Sequence, residues 1–579
     1  MKKLLKYLSQ YKKESILSPL FKMLEASFEL IVPLVIAEMI DKGIADGSLS
    51  SGDRGLLIRC FLMLIALGLV GLISSCTAQY FAAKAATGFS TGLRHDLFKH
   101  LLSLDFSKID DIGTSTMITR MTSDVNTVQN GVNMFLRLFL RSPFIVAGAM
   151  VMAFTIDFKA ALVFVVVIAI LAIVVGLIMK TNIPMLRKVQ GALDGVLNLT
   201  RENLAGARVI RAFVREDEEY ERFISQNKNL SELQLKAGRV SGLLNPLTYI
   251  IINLAVVVLI KVGGIQVSLG ILTTGQVVAL YNYMSQILLE LIKFANLIIS
   301  INKGLASANR ISEVFDIPSG MSEEDASKKK EIGLVEEIEF KNVSITYHEG
   351  SDESLTDVSF KVKKGQTLGV IGGTGSGKST LINLIPRFYD VTCGQVLING
   401  VDVKEVSVKE LRNKVGIVMQ KAVLFAGTIR ENLLWGNHDA TDEELNEAIN
   451  LACADDVVSV KGGLDAIIEA SGKNLSGGQR QRLTIARALV RKPEVLILDD
   501  ASSALDFVTD LKLRTNIKNM NYDPLVVIVS QRTSAVQSAD DILVLDDGVL
   551  VGHGTHEDLL KNCDVYKEIY YSQLKEEEK

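Results

Sequence analysis

Gly372-Gly373-Thr374-Gly375-Ser376-Gly377-Lys378-Ser379-Thr380 is the stretch on which the fold of this 579-residue chain turns. It follows the apolar run Thr367-Leu368-Gly369-Val370-Ile371, which predicts a buried strand, and precedes Leu381-Ile382-Asn383-Leu384-Ile385, which predicts a helix start. Strand, glycine loop and helix in that order make a cradle for polyphosphate. The backbone N–H groups of the loop and of the first helical turn face the anion, Lys378 reaches the β/γ-phosphates, and the Ser379 hydroxyl is placed to ligate Mg²⁺. With Gly-Lys-Ser-Thr and these flanks, a glycine-rich turn of no function is the weaker explanation.

Composition says what the phosphate site is attached to. Apolar residues make up 48% of the chain and the mean hydropathy is +0.28, high for a soluble enzyme of this length, so several domains and a membrane portion are expected. A net charge of −4 gives no overall case for nucleic-acid binding. Cys60, Cys76, Cys393, Cys453 and Cys563 are scattered without metal-ligand spacing and read as packing residues.

The basic start, with Lys2, Lys3, Lys6, Lys12 and Lys13, reads as cytoplasmic rather than as a cleaved signal peptide. Six stretches then approach the roughly 20 residues a helix needs to cross a bilayer. They lie near 17–40, 56–80, 137–156, 159–180, 245–265 and 273–298. Lys22, Glu25, Glu29 and Glu38 interrupt the first; charges there face either a substrate path or ion-pair partners within the bundle. The intervals 81–136 and 181–244 are long, charged and rich in basic residues, which places them on the cytoplasmic side and extends the membrane helices into the cytoplasm. Each has a turn-prone middle, Asp110 to Ser115 and Asn203 to Arg208, where a short transverse helix fits.

A polar tract from Met321 to Glu331 predicts a linker, and from Val335 short apolar strands alternate with helices. The acidic end, Glu576 to Lys579, reads as a solvated tail. The expected fold is therefore multidomain. An all-α six-helix transmembrane domain with two long cytoplasmic hairpins spans residues 1–315, a linker 316–334, and an α/β nucleotide-binding domain built on the phosphate loop 335–579.

Because a phosphate loop serves kinases, GTPases and motors alike, neighbouring motifs must say what the triphosphate is for. Val495-Leu496-Ile497-Leu498-Asp499 reads as a buried strand ending in a carboxylate that holds Mg²⁺ beside Ser379. Leu475-Ser476-Gly477-Gly478-Gln479 opens a helical run, so its exposed N–H groups form a second phosphate-facing surface; a plain helix cap is the alternative.

These motifs together resemble the ATP-binding cassette family, specifically a half-size exporter with six membrane helices ahead of one nucleotide-binding domain. The resemblance covers essentially the whole chain. It implies that Tyr347 stacks on adenine, that Gln420 senses Mg²⁺ and the membrane domain, and that Leu475 to Gln479 is the signature motif. It also implies that Ser503 to Asp506 crosses to the opposite site, and that the two turn-prone segments are coupling helices, Glu202 to Phe213 being close to the family's wording of the second. Two such domains clasp two ATP molecules head to tail, so a dimer is implied, with ATP and Mg²⁺ as cofactors.

Two positions depart from that pattern. Asp500 stands where the family usually has the glutamate that serves as general base, and Gln531 where it has a histidine that contacts the γ-phosphate. Aspartate is one methylene shorter, a misplacement of roughly 1 Å that can cost on the order of 10²-fold in rate. Gln531 donates a hydrogen bond but carries no charge near neutral pH. The expected site binds ATP well and hydrolyses it slowly, whereas the intact signature completes a competent site on a different partner chain. That asymmetry resembles heterodimeric bacterial multidrug exporters and implies amphipathic cargo, a multi-pass place in the cell membrane and no nucleic acid. Apolar walls bearing Glu25, Glu29, Asn282, Gln286 and Glu290 suit bulky, cationic compounds. The alternatives are a homodimeric lipid, peptide or metabolite exporter, and a regulatory ATP-binding subunit.

Overall fold

The computed structural model describes residues 4–43, 54–319, 330–347 and 352–577. The expected linker tract, apart from Lys330 and Glu331, and the last two residues of the acidic tail lie outside the described residues. The chain divides into two units, Met1–His100 with Ser115–Ile317, and Leu101–Thr114 with Pro318–Lys579.

The first unit is all helix. Five helical segments among the described residues are long and apolar enough to cross a membrane: Arg54–Leu102, Thr114–Ile156, Phe158–Ala205, Glu216–Ser268 and Thr274–Asp316. The sequence predicted six. The stretch at 17–40 does form a helix, Lys12–Glu38, but Lys22, Glu25 and Glu29 break its apolar run, and it does not qualify on composition. Leucine, isoleucine and phenylalanine side chains on the apolar helices are widely exposed, as on Arg54–Leu102 at Ile58, Phe61, Ile65 and Ile73, the surface a bilayer would cover. Inside, small residues bring helices together: Ala149, Ala153, Ala160, Ala161 and Ala279 are fully buried around Phe164, Leu259 and Tyr283. A Cβ added at Gly131 would stand 3.3 Å from the Cα of Gly304.

Two short helices interrupt the long ones where turns were predicted. Phe106–Ile112 ends at Gly113, whose φ of 76° suits glycine and stops the helix. Ala207–Ala212 follows Gly206 and leaves Leu204, Val209 and Phe213 exposed.

The second unit is built on a ten-stranded sheet. Its centre is parallel, in the order Val415–Val418, Val495–Asp499, Leu525–Val529, Thr367–Gly372, Asp541–Asp546. A mixed wing carries Val549–Gly554, Leu355–Lys363, Glu337–Ile345 and Cys393–Ile398, antiparallel except where Val549–Gly554 meets Leu355–Lys363 in parallel. Strands Val495–Asp499 and Leu525–Val529 are buried at every residue, which is why they read as unbroken apolar runs rather than alternating ones. The phosphate-loop strand lies between Leu525–Val529 and Asp541–Asp546, so the C-terminal ends that carry Gly372, Asp499 and Val529 open on one edge. Ligands of open α/β sheets bind at that edge.

The helix Phe106–Ile112 belongs to this unit although its sequence lies between membrane helices. Phe106 packs on Phe388 with ring centroids 4.6 Å apart, and the Arg412 guanidinium stands over both rings.

Candidate nucleotide site

Helix Lys378–Leu384 starts directly after Gly377, which at φ 91° takes the left-handed turn into the helix. A Cβ at Gly377 would sit 2.6 Å from the Ser354 carbonyl oxygen, so no other residue fits. Lys378 Nζ donates to the carbonyl oxygens of Gly372 at 3.0 Å and Gly373, and to Ser376 Oγ at 3.3 Å, holding the loop closed over its own base. Burial lowers the Lys378 pKa, and the charges of Asp499 and Asp500 oppose that shift.

Ser379 Oγ donates to both oxygens of Asp499, at 3.3 and 3.1 Å. A hydroxyl and a carboxylate side by side are hard oxygen donors of the kind Mg²⁺ takes while keeping several waters. Among the described residues there is no cluster of three or more His, Cys, Asp or Glu that could hold a metal by itself. Ser379, Asp499 and Gln420 fit an ion that draws its remaining ligands from phosphate and water. When bound, Mg²⁺ neutralises developing phosphate charge. Burial pushes Asp499 above the ordinary carboxylate range; the Ser379 bond and the Lys378 charge pull it down, and the charge of Asp500 adds to the rise.

Asp500 follows in a left-handed conformation, φ 46°, which aspartate tolerates better than most side chains. Its N–H donates to Val529 at 3.0 Å, and its carbonyl accepts from Ser503 N at 3.1 Å and Ser503 Oγ at 2.8 Å. Burial raises its pKa as well, countered by hydrogen bonds from Ser503 and Gln420 and by the charges of Arg532 and Lys378.

A cavity of about 370 Å³ gathers Thr374 to Thr380, Gln420, Asp499, Asp500 and Gln531. Those predicted residues come together. Gly372 and Gly373 lie behind them as acceptors for Lys378. Tyr347 is not among the lining residues: its hydroxyl donates to Thr380 Oγ1 at 3.1 Å and its ring meets Tyr389 edge-on at 4.9 Å, beside a separate smaller cavity. The segment Leu475 to Gln479 also stands outside the cavity. There Ser476 caps helix Gly477–Val490, its Oγ accepting from Gln479 N at 3.2 Å while Gln479 Oε1 accepts from Ser476 N at 2.9 Å. Ser476 and Gly477 are exposed, and Gly478 packs so close to Ala504 that an added Cβ would stand 2.9 Å from its carbonyl oxygen.

Sequence reasoning missed four contributors. Asp352, Glu353 and Asp547 line the cavity with further carboxylates. Asp547-Gly548 is a recognisable hairpin turn, but its place beside the phosphate loop follows only from the parallel pairing of Asp541–Asp546 with Thr367–Gly372. The fourth is Gln573, on the terminal helix Asp564–Glu577. Its Nε2 donates to the Gln531 carbonyl at 2.8 Å, and its Oε1 accepts from Thr533 N and Oγ1, both at 2.9 Å. Nothing local in the sequence marks it.

Residues 15–291 match the ABC transporter transmembrane region and residues 355–503 match the ABC transporter family model. An uncharacterized ABC transporter ATP-binding protein, YfiB of Bacillus subtilis, is 35% identical over 575 residues, covering 99% of both chains. The chain belongs to the ABC transporter family. A putative multidrug export ATP-binding/permease protein of B. subtilis, YgaD, is 31% identical over 575 residues, 98% of each chain. A bacterial Atm1-family ABC exporter with ATP bound shares the fold at a TM-score of 0.80 and 23% identity, covering 97% of this chain and 98% of that one. This ABC transporter is a multi-pass membrane protein with an ATP-binding nucleotide domain on the cytoplasmic side.

Proposed function

We propose that this chain is one subunit of a heterodimeric ATP-driven exporter of amphipathic compounds, with a slow ATP site of its own and a signature motif that completes the partner's faster one. The observation that carries the proposal is the cavity's own chemistry. Asp500 and Gln531 line it where a general base and a charged γ-phosphate contact would be needed, while the intact Leu475 to Gln479 segment stands outside it with Ser476 and Gly477 exposed. A phosphate-facing helix start that its own chain does not use is suited to another chain's nucleotide. Resemblance to a putative multidrug export protein supports the cargo class.

In this scheme Lys378 and the loop N–H groups hold the β/γ-phosphates, Ser379, Asp499 and Gln420 hold Mg²⁺, and Tyr347 turns from Tyr389 to stack on adenine. Asp500 is too short to reach an attacking water well, and Gln531 offers the γ-phosphate a hydrogen bond without a charge. Slow turnover at this site keeps ATP clasped while the partner site cycles.

A homodimer that uses Asp500 as base is the competing reading, favoured by the burial that raises the Asp500 pKa and so strengthens it as a proton acceptor. Steady-state ATP turnover separates the two. The purified chain alone should turn over slowly, a second half-transporter carrying glutamate and histidine at the corresponding positions should restore turnover, and removing that glutamate should abolish it. Brisk turnover by the chain alone, at two equivalent sites, would sink the asymmetric reading.

A further inference from the structure

Two charged residues of helix Lys12–Glu38, Glu25 and Glu29, stand together at one end of a cavity in the first unit. Glu25, Phe28, Glu29, Val32 and Ile36 form one stripe of that helix, and Leu64, Leu67, Gly68, Gly71, Leu72 and Ser75 form one stripe of helix Arg54–Leu102. The spacing of each is three or four residues, the period of a single helix face. The two stripes run in opposite directions and line an open-sided slot of about 640 Å³, the size of a site for a drug-like molecule. Glu25, Glu29, Ser75 and Arg141 lie at one end; the other end is apolar. Gly68 and Gly71 face open space, since a Cβ added at either would meet nothing within 4 Å.

The polar end is built rather than incidental. Arg141 is 7% exposed and donates to Glu290 Oε1 at 2.6 Å and to Glu29 Oε2 at 2.7 Å. Glu290, buried and outside the slot, also accepts from Ser142 at 2.8 Å and Lys293 at 2.8 Å, so its charge is met within the bundle. Buried Lys22 donates to Glu25 at 2.5 Å and to Ser75 at 2.9 Å. Arg141 thus spends its two outer nitrogens on carboxylates, and its Nε is buried without a partner. What the slot meets at this end is acceptor oxygen: the Glu29 side chain is 42% exposed while Arg141 is almost covered. An anion there would face Glu25 and Glu29, whereas a hydrogen-bond donor with positive charge would be received by Glu29.

We propose that this slot binds an amphiphile bearing a protonated amine, the ammonium at Glu29 and the apolar body along Gly68, Gly71 and Ile36. This deepens, and rests on, the reading of the chain as an exporter of amphipathic compounds. Two sources supply that chemistry, a soluble amphiphilic amine and the amine head group of a membrane lipid.

The test is equilibrium binding to the full chain in phosphatidylcholine nanodiscs, using a dodecylammonium ion with a fluorophore at its far end and the matching carboxylate. Wild-type protein should bind the amine and not the carboxylate. Glu29→Gln should weaken the amine by about tenfold or more, the size of a lost charge-assisted hydrogen bond. Gly71→Leu, which fills the slot, should abolish binding, and Gly71→Ala, which meets only open space, should weaken it less. Displacement by phosphatidylethanolamine would assign the head-group source to lipid; its failure to compete would assign the site to soluble amines. Equal binding of amine and carboxylate, or wild-type affinity in both Glu29→Gln and Gly71→Leu, would overturn the proposal. The readout needs neither ATP turnover nor a partner chain, so it fails independently of the asymmetric-site reading.

Discussion

The Tyr389 hydroxyl donates to Asp110 Oδ2 at 2.8 Å, fastening the short helix Phe106–Ile112 to the nucleotide-binding unit. The ring of Tyr389 also receives the edge of Tyr347, whose hydroxyl is bonded to Thr380 at the end of the phosphate loop. One tyrosine therefore touches both the segment joined to the membrane helices and the residue expected to stack on adenine. Burial and the Asp110 carboxylate raise the Tyr389 pKa far beyond the physiological range, so the phenol stays protonated and remains a donor.

Tyr389→Phe should keep the ring packing and lose only the hydrogen bond, a stability change of about 1 kcal/mol. ATP binding should survive, while stimulation of ATP turnover by a transported compound should fall several-fold. The comparison of basal with stimulated turnover checks it. Unchanged stimulation would show that Phe106 on Phe388 carries the coupling alone.

Asp500→Glu with Gln531→His should raise turnover by the purified chain by one to two orders of magnitude, restoring reach and charge at the γ-phosphate. The double change should exceed the sum of the singles, since both residues line one cavity. Single-turnover hydrolysis at saturating ATP is the measurement, because a change in affinity alone would leave it flat.

Acid should weaken Mg²⁺-dependent nucleotide binding earlier than an ordinary aspartate would predict. Asp499 and Asp500 are both raised from the usual value of 3.8 by burial. A carboxyl with a raised folded-state pKa favours folding in its protonated form. That contribution is fully present below 3.8 and is lost as pH rises through the raised value. Mg²⁺ needs the charged form and so competes with the proton. Thermal stabilisation by Mg²⁺-ATP should therefore shrink as pH falls from neutral toward the raised values, and Asp499→Asn should remove most of the Mg²⁺-dependent part at every pH.

The loop, the strand carboxylate and the five long apolar helices were legible because each is written in contiguous residues with one dominant period or composition. The expected span at 17–40 forms helix Lys12–Glu38 but falls short on composition, because charges there serve Arg141 and Ser75, residues far away in sequence. The resemblance puts Tyr347 on adenine, and in this chain it stands outside the cavity lining; it sends Leu475 to Gln479 to a partner's nucleotide, and that segment lies outside this chain's own cavity. Residues 101–114 were assigned to the membrane domain by position in the chain, and packing of Phe106 on Phe388 draws them into the other unit. Strand order could not be read at all, and with it went the approach of Asp547 and Gln573 to the site.

Gln573 should prove to be a positioning residue for Gln531. Its side-chain amide uses both ends, donating to the Gln531 carbonyl and accepting from the backbone N–H and hydroxyl of buried Thr533. Gln573→Glu keeps the acceptor and removes the donor, so Thr533 stays satisfied while the Gln531 carbonyl is released. Gln573→Ala removes both and leaves Thr533 donors without a partner, at a cost of about 1–3 kcal/mol in stability. In the Asp500→Glu, Gln531→His background, where turnover is measurable, Gln573→Glu should lower kcat several-fold with little change in KM or Tm, because it frees the loop without touching nucleotide. Gln573→Ala should lower both kcat and Tm. If Gln573→Glu matched wild type in kcat, the terminal helix would be bracing the fold at Thr533 and nothing more.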